Sequence, residues 1–436
     1  MSTSLDSPLA LALHGGPKVK TTPFGKGRRF GAEEAQELIE ALEQNTLFYH
    51  HGQKVKTFLR DFNALYGVTH SVAVSSGTAA IHVALGAAGV TVGDEVITSP
   101  ITDQGTVIGI LYQNAIPVFA DLEPHTYTLD PRSVEARITP RTKAIVAVHL
   151  AGNPCDMDAL MDIARRHGLT VIEDCAQSWL CRYKGRLVGM IGHYGCFSTN
   201  DFKHISTGDG GIVTVNSGDE ADYRATHAFA DKNYRRFDAT LRGDIAYLAP
   251  NYRMTELQGA VGIAQLKKLA GICETRHRYG ERITEGICDL PGIAPHQIQA
   301  GGWCSYWFYM LRGRFAPEPE QQGQVESAFS PAVSGRLSCT RAEFSQALAA
   351  EGIPNAAGYI PQVVYLNSMF RERHAYRGSH FPFDLSDARY EPGLCPVAEA
   401  ILRDCVRLEV NEFYTPQDIE DIIAGVRKVA AYYAVQ

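Results

Sequence analysis

From about residue 30 to 215 the chain alternates short apolar runs with stretches in which apolar residues recur at helical spacing. The runs at 72–75, 95–98, 117–120, 143–149, 170–174 and 211–215 are rich in β-branched residues and read as strands. Between them, segments such as 156–166 place apolar side chains on one helical face, with Asp156 positioned to cap. The strand runs are continuously apolar rather than alternating, as in strands buried on both faces, so an α/β fold with a mostly parallel sheet is predicted. After residue 250 the pattern changes: 251–290 is helical in period, 303–310 is an aromatic strand-like piece, and 341–351 and 416–433 are again helical. This predicts a smaller α+β C-terminal domain, dividing the chain into an arm at 1–30, a large domain at 31–265 and a small domain at 266–436. Residues 315–338 lack periodicity and read as a surface insertion; 371–393 reads as a long loop, rich in aromatic and charged side chains and able to cover a site.

Composition adds exclusions. At 436 residues the chain exceeds what one core usually organises, in agreement with two domains. A hydrophobic content of 45% with 20% charged residues excludes a disordered or fibrous protein. The 41 basic and 48 acidic residues leave a net charge of −7, which offers no footprint for nucleic acid. No run approaches the roughly 18 apolar residues of a spanning helix, so no membrane partner is expected. The ten cysteines lack paired spacing, and Cys175, Cys196, Cys288 and Cys405 lie in apolar segments as reduced thiols do. With no basic stretch or signal core at the N-terminus, a cytoplasmic location is predicted.

The candidate chemistry centres on Lys203, which is flanked by Phe202 and Ile205 and followed by the turn Gly208-Asp209-Gly210-Gly211. About thirty residues upstream, the strand run 170–174 ends on Asp174. Pyridoxal 5'-phosphate requires a lysine for a Schiff base, an acid that keeps the pyridine nitrogen protonated, and donors for a phosphate dianion. Lys203 supplies the amine and, once released, a proton shuttle; its apolar flanks argue against a surface lysine. Asp174, at the carboxyl end of a strand, supplies the acid, or alternatively caps the next segment. Gln177 is placed to touch the ring or its hydroxyl. In Ser75-Ser76-Gly77-Thr78-Ala79-Ala80 a strand end turns into an Ala-rich helix whose free amides at Gly77 and Thr78, with the Thr78 hydroxyl, form an anion site or simply a good cap. Ser198, five residues before Lys203, adds a hydroxyl.

These residues, together with Gly93-Asp94-Glu95-Val96-Ile97, Val148-His149-Leu150-Ala151-Gly152, Glu173-Asp174-Cys175-Ala176-Gln177, Tyr183-Lys184-Gly185-Arg186, Asn251-Tyr252-Arg253-Met254-Thr255-Glu256, Gly358-Tyr359 and Cys395-Pro396-Val397-Ala398-Glu399, resemble the DegT/DnrJ/EryC1/StrS sugar aminotransferases over nearly the whole chain. The resemblance implies the aspartate-aminotransferase fold (PLP fold type I) with a seven-stranded large-domain sheet, and a homodimer with active sites at the interface. It also implies that Asn251 reaches the phosphate of the partner subunit's cofactor; without the resemblance Asn251 reads as a cap for a helix at 252–266. The implied reaction is transfer of an amino group from glutamate or glutamine to a keto sugar or keto cyclitol, in the making of an amino sugar, aminocyclitol or related secondary metabolite. The opening His14-Gly15-Gly16-Pro17-Lys18 resembles members acting on cyclitol-like or unactivated sugar substrates.

Two positions depart from the family pattern. The residue after Thr102, usually an aromatic that stacks on the pyridine ring, is Asp103, and the usual histidine two residues after Gln177 is Trp179. Trp179 is expected to restore aromatic contact with the cofactor, and Asp103 to contact substrate or a closing loop. The departures leave a PLP-dependent sugar dehydratase as an alternative, although Lys203 argues against it because such dehydratases carry histidine there. A catalytically silent PLP-binding protein is a further alternative, opposed by the retention of Lys203 with Asp174. Metal spacing is absent, since no Cys-x-x-Cys occurs and His50-His51 cannot share a helical face. The basic cluster Lys26, Arg28 and Arg29 reads as a solvated face or a contact for a phosphorylated substrate.

Overall fold

The computed structural model describes residues 10–237, 240, 244–318, 328–329 and 333–435. A seven-stranded sheet runs from His70–Val74 at one edge through Gly211–Val215, Tyr194–Ser198, Thr170–Asp174, Thr142–Val148 and Glu95–Thr98 to Ile116–Phe119. Gly211–Val215 runs antiparallel to both its neighbours, and the other pairings are parallel. Successive residues of Thr142–Val148 enter opposite cores. Ala144 and Val146 pack beneath the Gly77–Ala87 helix, whereas Ile145 and Ala147 pack with Leu160 and Ile163 of the Met157–His167 helix. Burial on both faces is therefore what makes these runs continuously apolar.

The predicted strands of the large domain lie within two residues of those observed, whereas the piece 303–310 is not one strand: it splits into Gly302–Trp303 and Tyr309–Gly313 around a left-handed turn at Tyr306. The strand Tyr194–Ser198 is not predicted, because Gly195 and Ser198 leave its apolar run short. Asp156 caps its helix as expected, accepting from the Ala159 amide at 3.2 Å.

The helical stretch after residue 250 needs correction. The helix is Glu256–Ile287, started by a capping box between Thr255 and Gln258. Residues 251–255 precede it in extended form, with Asn251 bridged to Asp231 and Arg253 to Val74. Asn251 is thus not a cap. This 32-residue helix packs on Ala32–Glu43 and Lys54–Tyr66 and, further along, on Pro416–Tyr433, so position 265 lies inside a continuous element.

The C-terminal part carries an antiparallel four-stranded sheet, Ile293–Ala294, Tyr309–Gly313, Cys405–Leu408 and Asn355–Ala356, backed by Arg341–Ala350 and Pro416–Tyr433. Of the stretch 315–338, residues 319–327 and 330–332 lie outside the described residues; its described ends are largely exposed or half-buried, with Val333 and Leu337 anchored in the interior. Residues 371–393 pack along the Ile116–Phe119 edge, Tyr390 donating to Pro117 O at 2.8 Å and Tyr376 to Asn114 Oδ1 at 2.8 Å.

The N-terminal arm is strapped to the last helix by charge. Lys20 Nζ lies 2.5 Å from Asp418 Oδ1 and 2.8 Å from Asp421 Oδ2, with the Lys20 and Asp418 side chains almost fully buried. Burial alone pushes the Asp418 carboxyl up, but the Lys20 ammonium and the Thr415 and Gly25 amides outweigh it and hold the group at about 2. Because the folded value is below the unfolded one, the carboxylate stabilises the fold fully above about pH 4 and loses that contribution as pH falls toward 2. Asp418→Asn, which leaves the buried Lys20 ammonium with Asp421 as its remaining carboxylate, is expected to cost about 2 kcal/mol by denaturant titration at pH 7 and to flatten the acid limb.

Candidate active site

The predicted residues meet where the sheet presents its carboxyl ends, the usual location of active sites in open α/β sheets. Lys203, Asp174, Gly77, Thr78 and Ser198 line one cleft of about 200 Å³, joined by Asp103. Asp174, the last residue of its strand, is 7% exposed. Its Oδ2 accepts the Thr106 hydroxyl at 2.7 Å and its Oδ1 the Ala176 amide at 3.1 Å. Thr106 is in turn bound by Thr102 at 2.7 Å. Burial raises the Asp174 carboxyl, with the Thr106 hydroxyl, the Ala176 amide and the Lys203 charge opposing.

Lys203 is 8% exposed, and among the described residues its amine has no hydrogen-bond or ion-pair partner. Burial lowers its pKa, opposed by the charges of Asp103 and Asp174. Burial makes this ammonium give up its proton more readily than an exposed one, which prepares the amine as a nucleophile for a carbonyl.

The opposite end of the cleft is an anion cradle. Ser76 caps the Gly77–Ala87 helix, its side chain accepting from the Ala79 amide at 3.0 Å, which leaves the Gly77 and Thr78 amides without intrahelical acceptors. Ser198 closes the cradle so tightly that a Cβ at Gly77 would lie 2.7 Å from the Ser198 Cβ. Free amides at a helix N-terminus, two hydroxyls, a buried carboxylate and an unpartnered lysine form a donor set that fits pyridoxal phosphate.

The remaining expectations divide. Gln177 sits behind the cleft, its Oε1 accepting the Ala151 amide at 2.8 Å and its Nε2 donating to Tyr359 at 3.0 Å. Asn251 is exposed and does not line the cleft of its own chain. No residue of 371–393 lines it either. Trp179 is fully buried among Phe62, Tyr66 and Phe197, and its indole N–H donates to Ser198 O at 3.0 Å. The expected direct contact between Trp179 and the cofactor is therefore not made; the ring supports the strand that carries Ser198. Trp179→Phe should cost about 1 kcal/mol through the orphaned carbonyl, read as a lower melting temperature. Asp103 is exposed in the cleft and caps the Gln104–Tyr112 helix, its Oδ1 accepting from Gly105 at 2.8 Å.

Sequence reasoning missed Thr106 and Trp307. The i, i+4 spacing of Thr102 and Thr106 at a helix start signals the first, whereas nothing local signals that Lys203 Nζ lies 4.0 Å from the Trp307 ring centroid.

Beneath the site, His149, Glu173 and Cys175 form a buried group with the atom types of a metal centre. Its polar atoms are already committed. His149 Nδ1 accepts the Cys155 amide and its Nε2 donates to Glu173, both at 3.0 Å, while the other Glu173 oxygen accepts the Ile191 and Gly192 amides at 2.7 and 2.6 Å. Hydrogen bonding accounts for this group without an ion.

Comparison with known proteins agrees with this geometry. The sequence profile of the DegT/DnrJ/EryC1/StrS aminotransferase family matches residues 29–427. The spore coat polysaccharide biosynthesis protein SpsC of Bacillus subtilis is 32% identical over 92% of this chain and 95% of its own length. The L-glutamine:2-deoxy-scyllo-inosose aminotransferase of Streptoalloteichus tenebrarius is 32% identical over 98% of this chain and 99% of its own. Among solved structures, the aminotransferase from Psychrobacter cryohalolentis superposes with a TM-score of 0.79 at 28% identity, covering 94% of this chain and 99% of that one. The chain belongs to the DegT/DnrJ/EryC1/StrS aminotransferase family.

Proposed function

We propose that the protein is a pyridoxal-phosphate-dependent aminotransferase that moves an amino group from glutamine or glutamate to the keto group of a cyclitol or sugar. The observation that carries this reading is the buried, unpartnered Lys203 amine in one cleft with Asp174 and the open helix terminus at Gly77 and Thr78. Several relatives support the acceptor class, being named as glutamine-dependent aminotransferases of scyllo-inosose derivatives or as GDP-perosamine synthase.

In this reading Lys203 holds the coenzyme through its amine, Asp174 keeps a proton on the pyridine nitrogen, Gln177 acts behind the ring, and Gly77, Thr78 and Ser198 bind the phosphate. When bound, the coenzyme supplies an electron sink and carries the amino group between donor and acceptor. Lys203, once free, takes a proton at Nζ from the donor's α-carbon and gives it up again. The exposed position of Asn251 suits its assignment to the phosphate site of a partner subunit in a homodimer, and the 93% exposed Leu248 and 76% exposed Phe202 suit such an interface. The arm, large-domain and small-domain division at 30/31 and 265/266 is retained as a proposal, with the long helix continuous through the second junction. Ten free cysteines, nine of them buried, suit a cytoplasmic enzyme.

Two measurements bear on this reading. The purified protein should carry a visible coenzyme band that is lost with glutamine or glutamate and returns with a keto cyclitol or keto sugar. A band indifferent to every donor, or substrate consumed without gain of nitrogen, would overturn it. Gly77→Ala forces the helix start and Ser198 apart, and is expected to weaken coenzyme affinity about tenfold, some 1.4 kcal/mol, in an equilibrium titration.

A further inference from the structure

We propose that Trp307 is a positioning residue for Lys203, its indole face being the place where the lysine amine rests whenever that amine is not bonded to the coenzyme. This rests on the role assigned to Lys203 above. The amine lies 4.0 Å from the Trp307 ring centroid, and no hydrogen-bond acceptor or carboxylate takes it among the described residues. Trp307 itself does not line the cleft, so it acts through Lys203 rather than on substrate.

The ring is built into place. Its Nε1 donates to Phe202 O at 2.7 Å, tying the indole to the residue before the lysine. Its backbone amide donates to Ala151 O at 3.0 Å, its carbonyl accepts from Arg276 at 3.1 Å, and the Tyr359 ring meets it edge-on at 6.0 Å. The preceding Tyr306 has φ 42°, a left-handed turn uncommon for an aromatic residue. Tyr306 is buried in the C-terminal core, whereas Trp307 stands against the lysine.

The chemistry gives this arrangement a purpose. An amine that alternately gains and loses a proton needs a neighbour that tolerates the ammonium without trapping it. A carboxylate in contact would lock the ammonium as an ion pair, and an apolar wall would penalise the charge. An aromatic face attracts the cation through its quadrupole and has no lone pair to hold the proton. The charged and titratable groups that face Lys203 or share its cleft are Asp103, Asp174, Asp209 and the neighbouring His204, with Tyr359 beyond the ring. All are retained in the variants below.

The test follows Nζ ionisation by NMR in coenzyme-free, lysine-labelled protein, with the signal assigned by its loss in Lys203→Arg. Trp307→Phe, which keeps an aromatic face, should titrate close to the parent. Trp307→Leu should titrate roughly half to one pH unit lower. Because Trp307→Leu could fail to fold, fluorinated tryptophans at 307, which weaken the quadrupole at constant shape, form a second series in which the midpoint should fall with each fluorine. In the donor half-reaction, Trp307→Leu should slow turnover about tenfold at unchanged KM, with recovery in Trp307→Phe. Equal midpoints across the fluorinated series, or equal impairment of Phe and Leu variants, would overturn the proposal and leave Trp307 a structural anchor for Phe202. The titration is made without coenzyme, so failure of the coenzyme assignment would appear separately as absence of the visible band in the parent protein.

Discussion

Lys203→Ala is expected to fold normally, to lose the visible coenzyme band, and to transfer amino groups about 10³-fold more slowly or worse, at least some 4 kcal/mol of barrier. The reason is that among the described residues no other basic group lines the cleft: its remaining titratable members are the carboxylates Asp103, Asp174 and Asp209. Stability should not fall, because the substitution removes a buried amine that has no hydrogen-bond or ion-pair partner among the described residues. A loss of activity therefore cannot be ascribed to unfolding, and equal or higher melting temperatures would make that explicit. Lys203→Arg should fare no better, since a guanidinium is not deprotonated and cannot act as nucleophile or base. A small primary amine added to the Ala variant should restore part of the turnover, as expected when a proton carrier rather than a packing element is missing.

The second large effect is expected at Asp174. Asp174→Asn keeps the volume and the polar neighbours Thr106 and Ala176 but removes the negative charge. Without a carboxylate the pyridine nitrogen loses its proton and the coenzyme its capacity as an electron sink, so turnover should drop about 10²- to 10³-fold. The pH dependence carries a sign. Burial holds the free carboxyl above the ordinary aspartate value, so on acidification it takes up a proton earlier than an exposed aspartate. A protonated Asp174 cannot pair with a pyridinium, so coenzyme affinity should decline as pH falls toward that raised value. Asp174→Asn should be weak at every pH and lack this decline. A titration of affinity against pH in both proteins checks it.

How far the molecule was legible in its sequence depended on whether the signal was local. The sheet was legible because strands buried on both faces must be apolar throughout, which Thr142–Val148 and Thr170–Asp174 are. Tyr194–Ser198 escaped because Gly195 and Ser198 shorten the apolar run, although all five residues are buried. The start of the long helix was misplaced because its period extends backwards into 251–255, where pairing with Val74 and Asp231 holds the chain extended. Lys203, Asp174, Gly77, Thr78 and Ser198 meet as expected, since Asp174 and Ser198 end strands, Gly77 and Thr78 start a helix, and Lys203 stands on the loop after Ser198, all at the carboxyl edge of the sheet. Trp179 was misjudged for the opposite reason: its position in the chain is close to Gln177, but its side chain turns into the core under Phe197. Trp307 was invisible because its contact with Lys203 spans a hundred residues and depends on the turn at Tyr306.

The function proposed for Lys203 requires a bond between one amine and one aldehyde, and borohydride trapping followed by peptide mapping examines that bond most directly. Protein incubated with pyridoxal phosphate, reduced and digested should carry a single phosphopyridoxyl group per chain, on Lys203, and prior addition of glutamine or glutamate should abolish that labelling. Label spread over surface lysines with Lys203 unmodified would contradict it.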